Sequence, residues 1–550
     1  ENNLDIEIQR YGPLLAKEVT LRTEGGPGIR SVGVPVAAGP VSVSLTGVSL
    51  TASSSTAAAV GSGGIVSTLG PTIPNFDPQL FLYGNFGHST TIFSNLLLTG
   101  TPALININRT FQAQYAQSTH FGTNVQLTYT NNYSKLNSTS YDLDPYTTGS
   151  LDLQVSQNLL QGFGRPVLNR SILVSKNNEK VSDLTFKQQV ITTVSAVLNL
   201  YWDLVSFNEA VKARKDELAT AQSLYDDNKK QVQIGTLAPI EVTRAEAQVY
   251  SSEQDLLVAQ TNELQQETVL KNALSRNGVA NPLLADVHVV PLDTIHIPEK
   301  DEIPPLEDLV KEALGKRVEV AQDQINIDSN TINLRGIKNE LRPTLQVFAE
   351  LTNNGLSGQT NYLAPDQVTP IPYLTGGYGN LLGQIFRRNY PSYSAGLSLS
   401  IPLRNRAAQS DYVTSALSLR QSELALQKAI NQVRVDVQNA VIGLKQARAQ
   451  YDSAVKARIL QQQTLDADKK KYTLGASTVY QVVTDQQALS AAQSTEVTSL
   501  ANYSHARIAY EQNLGTTLDI NNISIDEALA GHVARKSVLP PNLPPAESQQ

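Results

Sequence analysis

The chain of 550 residues contains no cysteine and no methionine, and both absences limit what it can be. Without cysteine, disulfides, thiolate catalysis and cysteine-ligated zinc are excluded. Because even an initiator methionine is missing, we expect that a signal peptide has been removed. No run of about 18 apolar residues occurs, which argues against a transmembrane helix. It does not argue against membrane-spanning β-strands, which need only about 9–11 residues of alternating polarity.

Motifs for catalysis, cofactor binding, metal binding and nucleic-acid binding are missing as well. The glycines between Gln161 and Pro166 invite comparison with a dinucleotide loop, but Val167 stands where that loop needs its third glycine. His288 and His296 lie close in sequence without metal-ligand spacing. Basic residues are mixed with acids along the predicted helices rather than gathered into a stripe. We therefore expect no enzyme, no cofactor, no metal and no nucleic-acid partner.

A seven-residue apolar repeat dominates the stretch from Arg165 to Ile234. Its members are Val190, Val197, Leu204, Val211, Leu218, Tyr225 and Val232. Seven residues is the coiled-coil period, so one seam of this helix should face partner helices along its length. At 1.5 Å per residue the helix would be on the order of 100 Å long. This length predicts a tube or bundle rather than a compact domain.

The same repeat occurs a second time, 240 residues later. The equivalent positions are Ile430, Val437, Leu444, Tyr451, Arg458, Leu465 and Tyr472, which are apolar or aromatic except for Arg458. Gly235, which ends the first run, maps onto Gly475, and a further helix is expected after each glycine. The chain is therefore predicted to consist of two structural repeats within one pseudo-symmetric protomer.

Each long helix is preceded by segments that alternate apolar and polar residues with a period of two, as half-buried strands do. Examples are Val125–Tyr129 and Leu151–Val155 in the first half, and Leu345–Leu351 and Ala395–Ile401 in the second. Tyrosines lie near strand ends and in the connecting loops, as in an interfacial girdle. They are Tyr129, Tyr133, Tyr141, Tyr146, Tyr373, Tyr378, Tyr390 and Tyr393.

An alternative interpretation of this alternation is an antiparallel sheet that covers a soluble core. In a membrane, however, an open four-stranded sheet would leave unpaired edges, so several chains would have to form one closed barrel. The stretch Gln79–Tyr133 is too long for one strand and has room for an extra hairpin. The first half can therefore contribute two or four strands.

These observations divide the chain into nine segments. In the first half they are 1–29, an N-terminal helical segment; 30–78, an insertion rich in glycine, serine and alanine; 79–164, the first strand region; and 165–276, a long helix, the Gly235 tip and a return helix. Then come 277–305, a connector; 306–342, a helix; 343–403, the second strand region; 404–514, the second long helix, the Gly475 tip and a return helix; and 515–550, a tail.

In order and in motifs, the chain resembles the TolC-type outer-membrane efflux family. The residues that carry the resemblance are SQNLLQGFG at 156–164, VQIGTLAPIEVTRAEAQ at 232–248, its copy YTLGASTVYQVVTDQQA at 472–488, SIPLRNR at 400–406 and LVKEALGKRVEV at 309–320. Each motif alone is loose, but their order and duplication are specific. The resemblance covers nearly the whole chain except the insertion and the tail.

The resemblance implies an α+β membrane protein that forms a homotrimer. A trimeric outer-membrane β-barrel would continue into a long periplasmic α-helical barrel. The residues allow either twelve or eighteen strands per trimer, and the family favours four strands per chain. The implied partners are outer-membrane lipid, a periplasmic adaptor (a membrane fusion protein) and, indirectly, an inner-membrane transporter. The implied function is a passive exit duct that the adaptor opens.

The resemblance also implies sites at the periplasmic tip. The turns that would dock the adaptor are Gly235, Thr236 and Leu237 in the first half and Gly475, Ala476 and Ser477 in the second. A tyrosine and an acid that hold the family's tip shut fall on Tyr472 and Glu241, which predicts a hydrogen bond between them. The family's two constriction aspartates are replaced by Gln481 and Thr484, and Asp485 beside them should point elsewhere on the helix.

Two other functions fit parts of the sequence. An exit duct for secreted polypeptides would share every feature of a small-molecule efflux duct. A coiled-coil structural or adhesion protein with a β head would keep the seven-residue repeats, but it would not need tyrosines at strand ends or a duplicated glycine tip.

Overall fold

The computed structural model describes residues 3–26, 69–95, 99–276, 280, 282–298, 301, 303–364 and 371–533. Most of the predicted insertion, residues 30–68, and the end of the predicted tail, residues 534–550, lie outside the described residues. The last part of the insertion is anchored, since Arg170 Nη2 donates to the carbonyl of Pro71 at 2.6 Å and Phe76 packs against Leu168 and Ile172.

Twelve helices and six strands make up the described part of the chain. The helices are α1 Leu4–Glu24, α2 Arg165–Leu168, α3 Arg170–Gln233, α4 Pro239–Leu274, α5 Pro282–Ala285, α6 Leu306–Lys316, α7 Val318–Glu340, α8 Tyr378–Phe386, α9 Arg406–Thr473, α10 Val479–Leu514, α11 Thr517–Ile520 and α12 Ile525–Ala530. The strands are β1 Gln79–Ile92, β2 Ala103–Ser118, β3 Thr123–Leu136, β4 Leu143–Asn158, β5 Thr344–Thr360 and β6 Tyr390–Ser400.

The two long helices follow the predicted seams. α3 has 64 residues and α9 has 68, so each is about 100 Å long at 1.5 Å per residue. Every seam position in both helices is buried or half-buried, including Arg458. Contrary to expectation, one stretch of α3 is apolar enough to cross a membrane by length and composition. Because 56% of that stretch is buried inside the molecule, it belongs to a packed core helix.

Two of the predicted helices are broken in the structure, whereas α1 continues without a break through Pro13, which is buried. The long helix predicted from Arg165 is broken at Asn169, and the helix predicted from Leu306 is broken at Arg317, whose backbone is extended. Neither of these breaks falls on a glycine or proline, which are the residues that usually end a helix.

All six strands form one antiparallel sheet in the order β1-β2-β3-β4-β5-β6. The expectation of four strands per chain is therefore wrong. The additional strands are β1 and β2, which pair from Gln79 opposite Ala116 to Ile92 opposite Ala103. The first half of the chain supplies four strands and the second half supplies two.

The two faces of the sheet differ in polarity. Paired rows place Val125 beside Val155 and Ala349, and Leu127 beside Leu153 and Leu351, on one face, which we call the apolar face. The opposite, polar face carries mostly small or uncharged side chains. Among them are Gln126, Thr128, Ser150, Gln154, Gln346, Thr352, Ser394 and Ser398. The predicted alternation is thus confirmed as a two-faced sheet.

The short helix α8 lies on the apolar face where the apolar side chains end. Gly149 and Gly355 are paired there, and a Cβ on Gly355 would stand 2.9 Å from Leu381 Cδ1 and 3.0 Å from the Leu381 carbonyl oxygen. Gln384 on the same helix accepts a hydrogen bond from the backbone N–H of Leu356 at 3.0 Å. The glycine pair lets α8 approach the strands closely.

The connector between the halves binds the helical bundle through charged groups. The Glu267 carboxylate on α4 accepts from the backbone N–H of Val289 at 2.9 Å and pairs with Lys271 at 2.7 Å. Farther along, Asp301 pairs with Arg448 on α9 at 3.0 Å and accepts from the Tyr503 hydroxyl on α10 at 2.6 Å. Apart from the short helix α5, the described part of the connector is irregular, and it joins helices of both halves.

The close contact of α8 with the sheet generates a testable prediction. Gly355→Ala should destabilise the docking of α8 by about 1–3 kcal/mol, because the added methyl overlaps Leu381 in a packed contact. Hydrogen exchange of residues 378–386 should become faster. Gly383→Ala is the matched control, since a Cβ there meets nothing within 4 Å. Unchanged exchange in Gly355→Ala would show that the helix is held by other contacts.

Candidate functional site

The two predicted tip turns have the same backbone geometry. Gly235 has φ of 81° and Gly475 has φ of 74°, a left-handed conformation that favours glycine. In the first turn the N–H of Gly235 bonds the carbonyl of Val232 at 3.0 Å, and the N–H of Thr236 bonds that of Gln231 at 2.9 Å. The second turn makes the equivalent bonds 240 residues later, at 2.9 and 2.8 Å. Each turn is a Schellman motif that ends a long helix and reverses the chain.

Large apolar side chains project from both turns into solvent. Ile234 is 74% exposed and its equivalent Leu474 is 84% exposed, while Ile240 and its equivalent Tyr480 are 56% and 63% exposed. We call these four residues the tip apolar set. Sequence reasoning missed them, although the 240-residue offset pairs them and could have identified them. Exposed apolar groups that are clustered mark interaction surfaces more often than single ones do.

The predicted hydrogen bond between Tyr472 and Glu241 is absent within the chain. The single proton of the Tyr472 hydroxyl is instead shared between Asn228 Oδ1 at 2.8 Å and Gln231 Oε1 at 3.0 Å, both on α3. The Glu241 carboxylate pairs with Arg244, one helical turn away, at 2.9 Å. Burial and, second, the charge of Glu241 raise the pKa of Tyr472, so its hydroxyl keeps the proton that it donates.

The polar residues predicted near the constriction separate into two groups. Gln481 and Thr484 are exposed on α10, whereas Asp485 is only 7% exposed and lies in the contact between α9 and α10. Asp485 Oδ1 accepts from Gln481 Nε2 at 2.9 Å, and Asp468 on α9 pairs with Lys471 at 2.7 Å. Burial and a hydrogen bond to Asp468 raise the pKa of Asp485. Asp485 therefore differs in orientation from its neighbours, as expected.

A polar cluster farther from the tip joins α3 to α10. The Glu217 side chain is 6% exposed, pairs with Arg214 at 2.7 Å and accepts from the Ser490 hydroxyl at 2.7 Å. Gln486 Nε2 donates to the backbone carbonyl of Glu217 at 3.2 Å. Because removal of one partner would leave a buried charge, this cluster fixes the register of the two helices above the tip.

Comparison with known proteins identifies the architecture. The sequence model of the family described as Outer membrane efflux protein matches residues 103–276 and 309–516. These two ranges make up more than half of the chain, and each contains one long helix and one tip. The chain belongs to the outer membrane efflux protein family.

Individual relatives agree with this assignment. Outer membrane protein TolC of Escherichia coli (strain K12) is 22% identical over 439 residues, which cover 78% of this chain and 80% of TolC. The CmeC outer membrane channel of Campylobacter jejuni superposes with a TM-score of 0.54 at 14% identity over 84% of this chain and 82% of CmeC. VceC from Vibrio cholerae gives a TM-score of 0.52 at 13% identity over 80% and 87% of the two chains. At these identities the structures establish the fold alone.

Family membership places the protein in the outer membrane, with its helical part in the periplasm. The family consists of TolC-like efflux channels rather than enzymes. The family match begins at residue 103, the first residue of β2. Thus β1, one of the two edge strands of the sheet, precedes the matched region.

The buried carboxyl of Asp485 predicts a pH-dependent tip. The pKa of Asp485 in the folded chain is raised above 3.8, its ordinary value. The stabilisation that the neutral carboxyl provides is therefore fully present below pH 3.8 and is lost as pH rises through the higher pKa of the folded chain. Hydrogen exchange of residues 479–490, corrected for intrinsic rates, should show less protection at pH 7 than at pH 4. Asp485→Asn should keep the protection constant, whereas the exposed Asp466→Asn should behave as wild type. A wild-type tip that is equally protected at both pH values would contradict this expectation.

Proposed function

We propose that three copies of the chain form one channel through the outer membrane. The sheet of each chain ends in two exposed edge strands, β1 and β6, and no described element of the same chain pairs with either outer edge. All neighbouring strands are antiparallel, so β1 and β6 run in opposite directions. The edge β6 of one copy can therefore pair with β1 of the next in the same antiparallel manner. This pair of complementary edges is the observation that carries the proposal.

Three such sheets would close into a barrel of eighteen strands. The apolar face would contact lipid, and the polar face, with its mostly uncharged polar side chains, would line a water-filled lumen. The helices would continue below as a tunnel of twelve long segments, α3, α4, α9 and α10 from each protomer. Substrates would pass through this duct without chemical change, and the energy would come from an inner-membrane transporter.

We propose further that the tips dock a periplasmic adaptor, a membrane fusion protein. The two reversals consist of the predicted turn residues Gly235, Thr236, Leu237, Gly475, Ala476 and Ser477, and the tip apolar set lies directly beside them. Four exposed apolar side chains at the free end of a helical bundle are unfavourable in water and favour a protein partner. The two repeats present similar surfaces, which suits adaptor helices that bind both.

The gate in this proposal is the contact of Tyr472 with α3. Its hydroxyl bridges from α9 to Asn228 and Gln231 and so ties the second tip to the first. Each neutral hydrogen bond contributes about 0.5–1.5 kcal/mol, an amount that a docking adaptor can overcome. Glu241 on α4 and Gln481, Thr484 and Asp485 on α10 follow the two tips and would complete the constriction.

Reconstitution tests the channel and its gate together. Purified protein in detergent should have the mass of three chains, and in planar bilayers it should conduct weakly because the tips are closed. Tyr472→Phe keeps the ring and removes both hydroxyl contacts, so single-channel conductance should rise several-fold. Tyr451→Phe on the same helix is the control, since the part of the chain that the structure describes gives its hydroxyl no hydrogen bond. A stable monomer, or a conductance that Tyr472→Phe leaves unchanged, would refute the channel or the gate, respectively.

A separate variant tests adaptor docking. Ile234→Ser combined with Leu474→Ser removes two exposed apolar contacts, so the trimer should form normally while export in cells falls at least tenfold. Leu257→Ser is the control, because Leu257 is 65% exposed but lies on the shaft of α4. Crosslinking of the tip to the adaptor should fall in parallel with export. Normal export by the double variant would place docking elsewhere.

A further inference from the structure

Charged side chains are sorted by sign between the two faces of the sheet. The six strands, all of which the structure describes, contain two cations and three carboxylates. Arg109 and Lys135 occupy the apolar face, and Asp152 and Glu350 occupy the polar face. The third carboxylate, Asp144, lies at a bulge and accepts from the backbone N–H of Leu136 at 2.7 Å. On the regular parts of the strands, every charged side chain of the apolar face is thus a cation.

The Arg109 side chain lies between aromatic rings. It is paired across the sheet with Phe86 on one side and Tyr133 on the other, and its guanidinium carbon is 5.9 and 5.3 Å from the two ring centroids. Lys135 follows Tyr133 by two residues on the same face, so it is the diagonal neighbour of Arg109. Rings on both sides hold the guanidinium at the surface without neutralising its charge.

Two further cations lie at the same end of the sheet. Arg387 and Arg388 directly follow α8, whose outward side chain Phe386 is 72% exposed. Both arginines are exposed, as are Arg109 and Lys135. Within the part of the chain that the structure describes, none of these four cations forms an ion pair with a carboxylate. An exposed cation without an acidic partner is available to an external anion.

The four cations lie within about three residues of one level along the strands, since Arg388 precedes the start of β6 by two residues. The row of paired residues that starts at Arg109 reaches β5 at Ser357, and β6 begins at Tyr390, opposite Asn354. Ser357 and Asn354 are three residues apart along β5, or about 10 Å. Both lie beyond Leu351, the last of the apolar residues of β5, at the end of the sheet that is remote from the long helices. Along β3 the order on this face is therefore apolar residues, aromatic rings and then a cation, whereas β2 continues beyond Arg109 with Ile107 and Ile105.

We propose that Arg109, Lys135, Arg387 and Arg388 form a binding surface for the phosphate groups of outer-leaflet lipid. This inference rests on the barrel orientation proposed above, in which the apolar face contacts lipid and this end faces outward. Acyl chains would then lie against the apolar residues, and the headgroup phosphates would reach the cations directly above them. Arginine forks bind phosphate oxygens in pairs, and Phe386 and Phe86 supply apolar contacts beside them. The absence of carboxylates on this face removes the repulsion that an anionic leaflet would otherwise meet.

Native mass spectrometry of the detergent-purified trimer tests the proposal. The probes are diphosphorylated lipid A and phosphatidylcholine, whose single phosphate is balanced by its own choline. Wild-type protein should retain several lipid A molecules per trimer and few of phosphatidylcholine. Replacement of all four cations by glutamine should reduce bound lipid A at least fivefold. The control replaces four exposed cations of α9, Lys428, Arg434, Lys445 and Lys456, by glutamine and should bind lipid A as wild type does.

Each outcome decides a separate point. Equal binding of lipid A by the four-cation variant and by wild type would overturn the proposal, and so would an equal loss in the α9 control. Should the four-cation variant fail to assemble, the double variant Arg387→Gln with Arg388→Gln replaces it. Both changes lie outside the strands, and this variant should retain about half of the lipid A that wild type binds. The same spectra report the mass of the complex. If wild-type protein gives no trimer mass, the result would count against the channel itself. If the trimer is intact and the four-cation variant binds as much lipid A as wild type, the result counts only against this surface.

Discussion

The unpaired edges of the six-stranded sheet are the constraint on which the rest of the architecture depends. Every backbone N–H and C=O that faces hydrocarbon without a partner costs several kcal/mol, so an open sheet is not viable in a bilayer. Six antiparallel strands leave edges that run in opposite directions, and such edges are complementary between copies. The long helices α3 and α9 follow β4 and β6 in the chain, so in the proposed channel closure of the sheet would also gather the helices around one axis. The barrel would then set the symmetry that the tunnel follows.

The two halves of the chain satisfy this constraint differently. The first half builds four strands, whereas the second builds two and inserts α8 between them. Because β6 has 11 residues and β5 has 17, the far end of β5 lacks a strand neighbour on that side. Gln384 on α8 fills part of this gap by bonding the backbone N–H of Leu356. The glycine pair beneath α8 permits this substitution of a helix for a strand without separating the layers.

Periodic features of the sequence predicted the fold well, and features that depend on three-dimensional contacts did not. The seven-residue seams, the 240-residue offset and the need for left-handed backbone at Gly235 and Gly475 all lie in local or repeated patterns. The strand number was wrong because the residues allowed two or four strands in the first half, and only the family resemblance favoured two. Leu80, Phe81, Leu82 and Tyr83 in β1 are apolar at successive positions, so they show no period of two that could have decided the choice. The partner of Tyr472 was wrong because the choice between Glu241 and Asn228 depends on how α9 is rotated against α3. A rotation of a fraction of a turn changes that choice, and no sequence period fixes it.

The comparison of the two tips explains how a duplicated backbone can serve two purposes. The turns have retained the same hydrogen bonds and the same exposed apolar positions, so the outer surface remains similar in both repeats. The inner positions have diverged, since Val232 is the equivalent of Tyr472 and Ala245 is the equivalent of Asp485. Valine cannot donate a hydrogen bond, so the contact from the second tip to the first has no counterpart in the reverse direction. If the tips open as proposed, a partner that binds both turns in the same way would have to break the contact of Tyr472 with α3. Because only α9 makes this contact, the motion would begin in the second repeat.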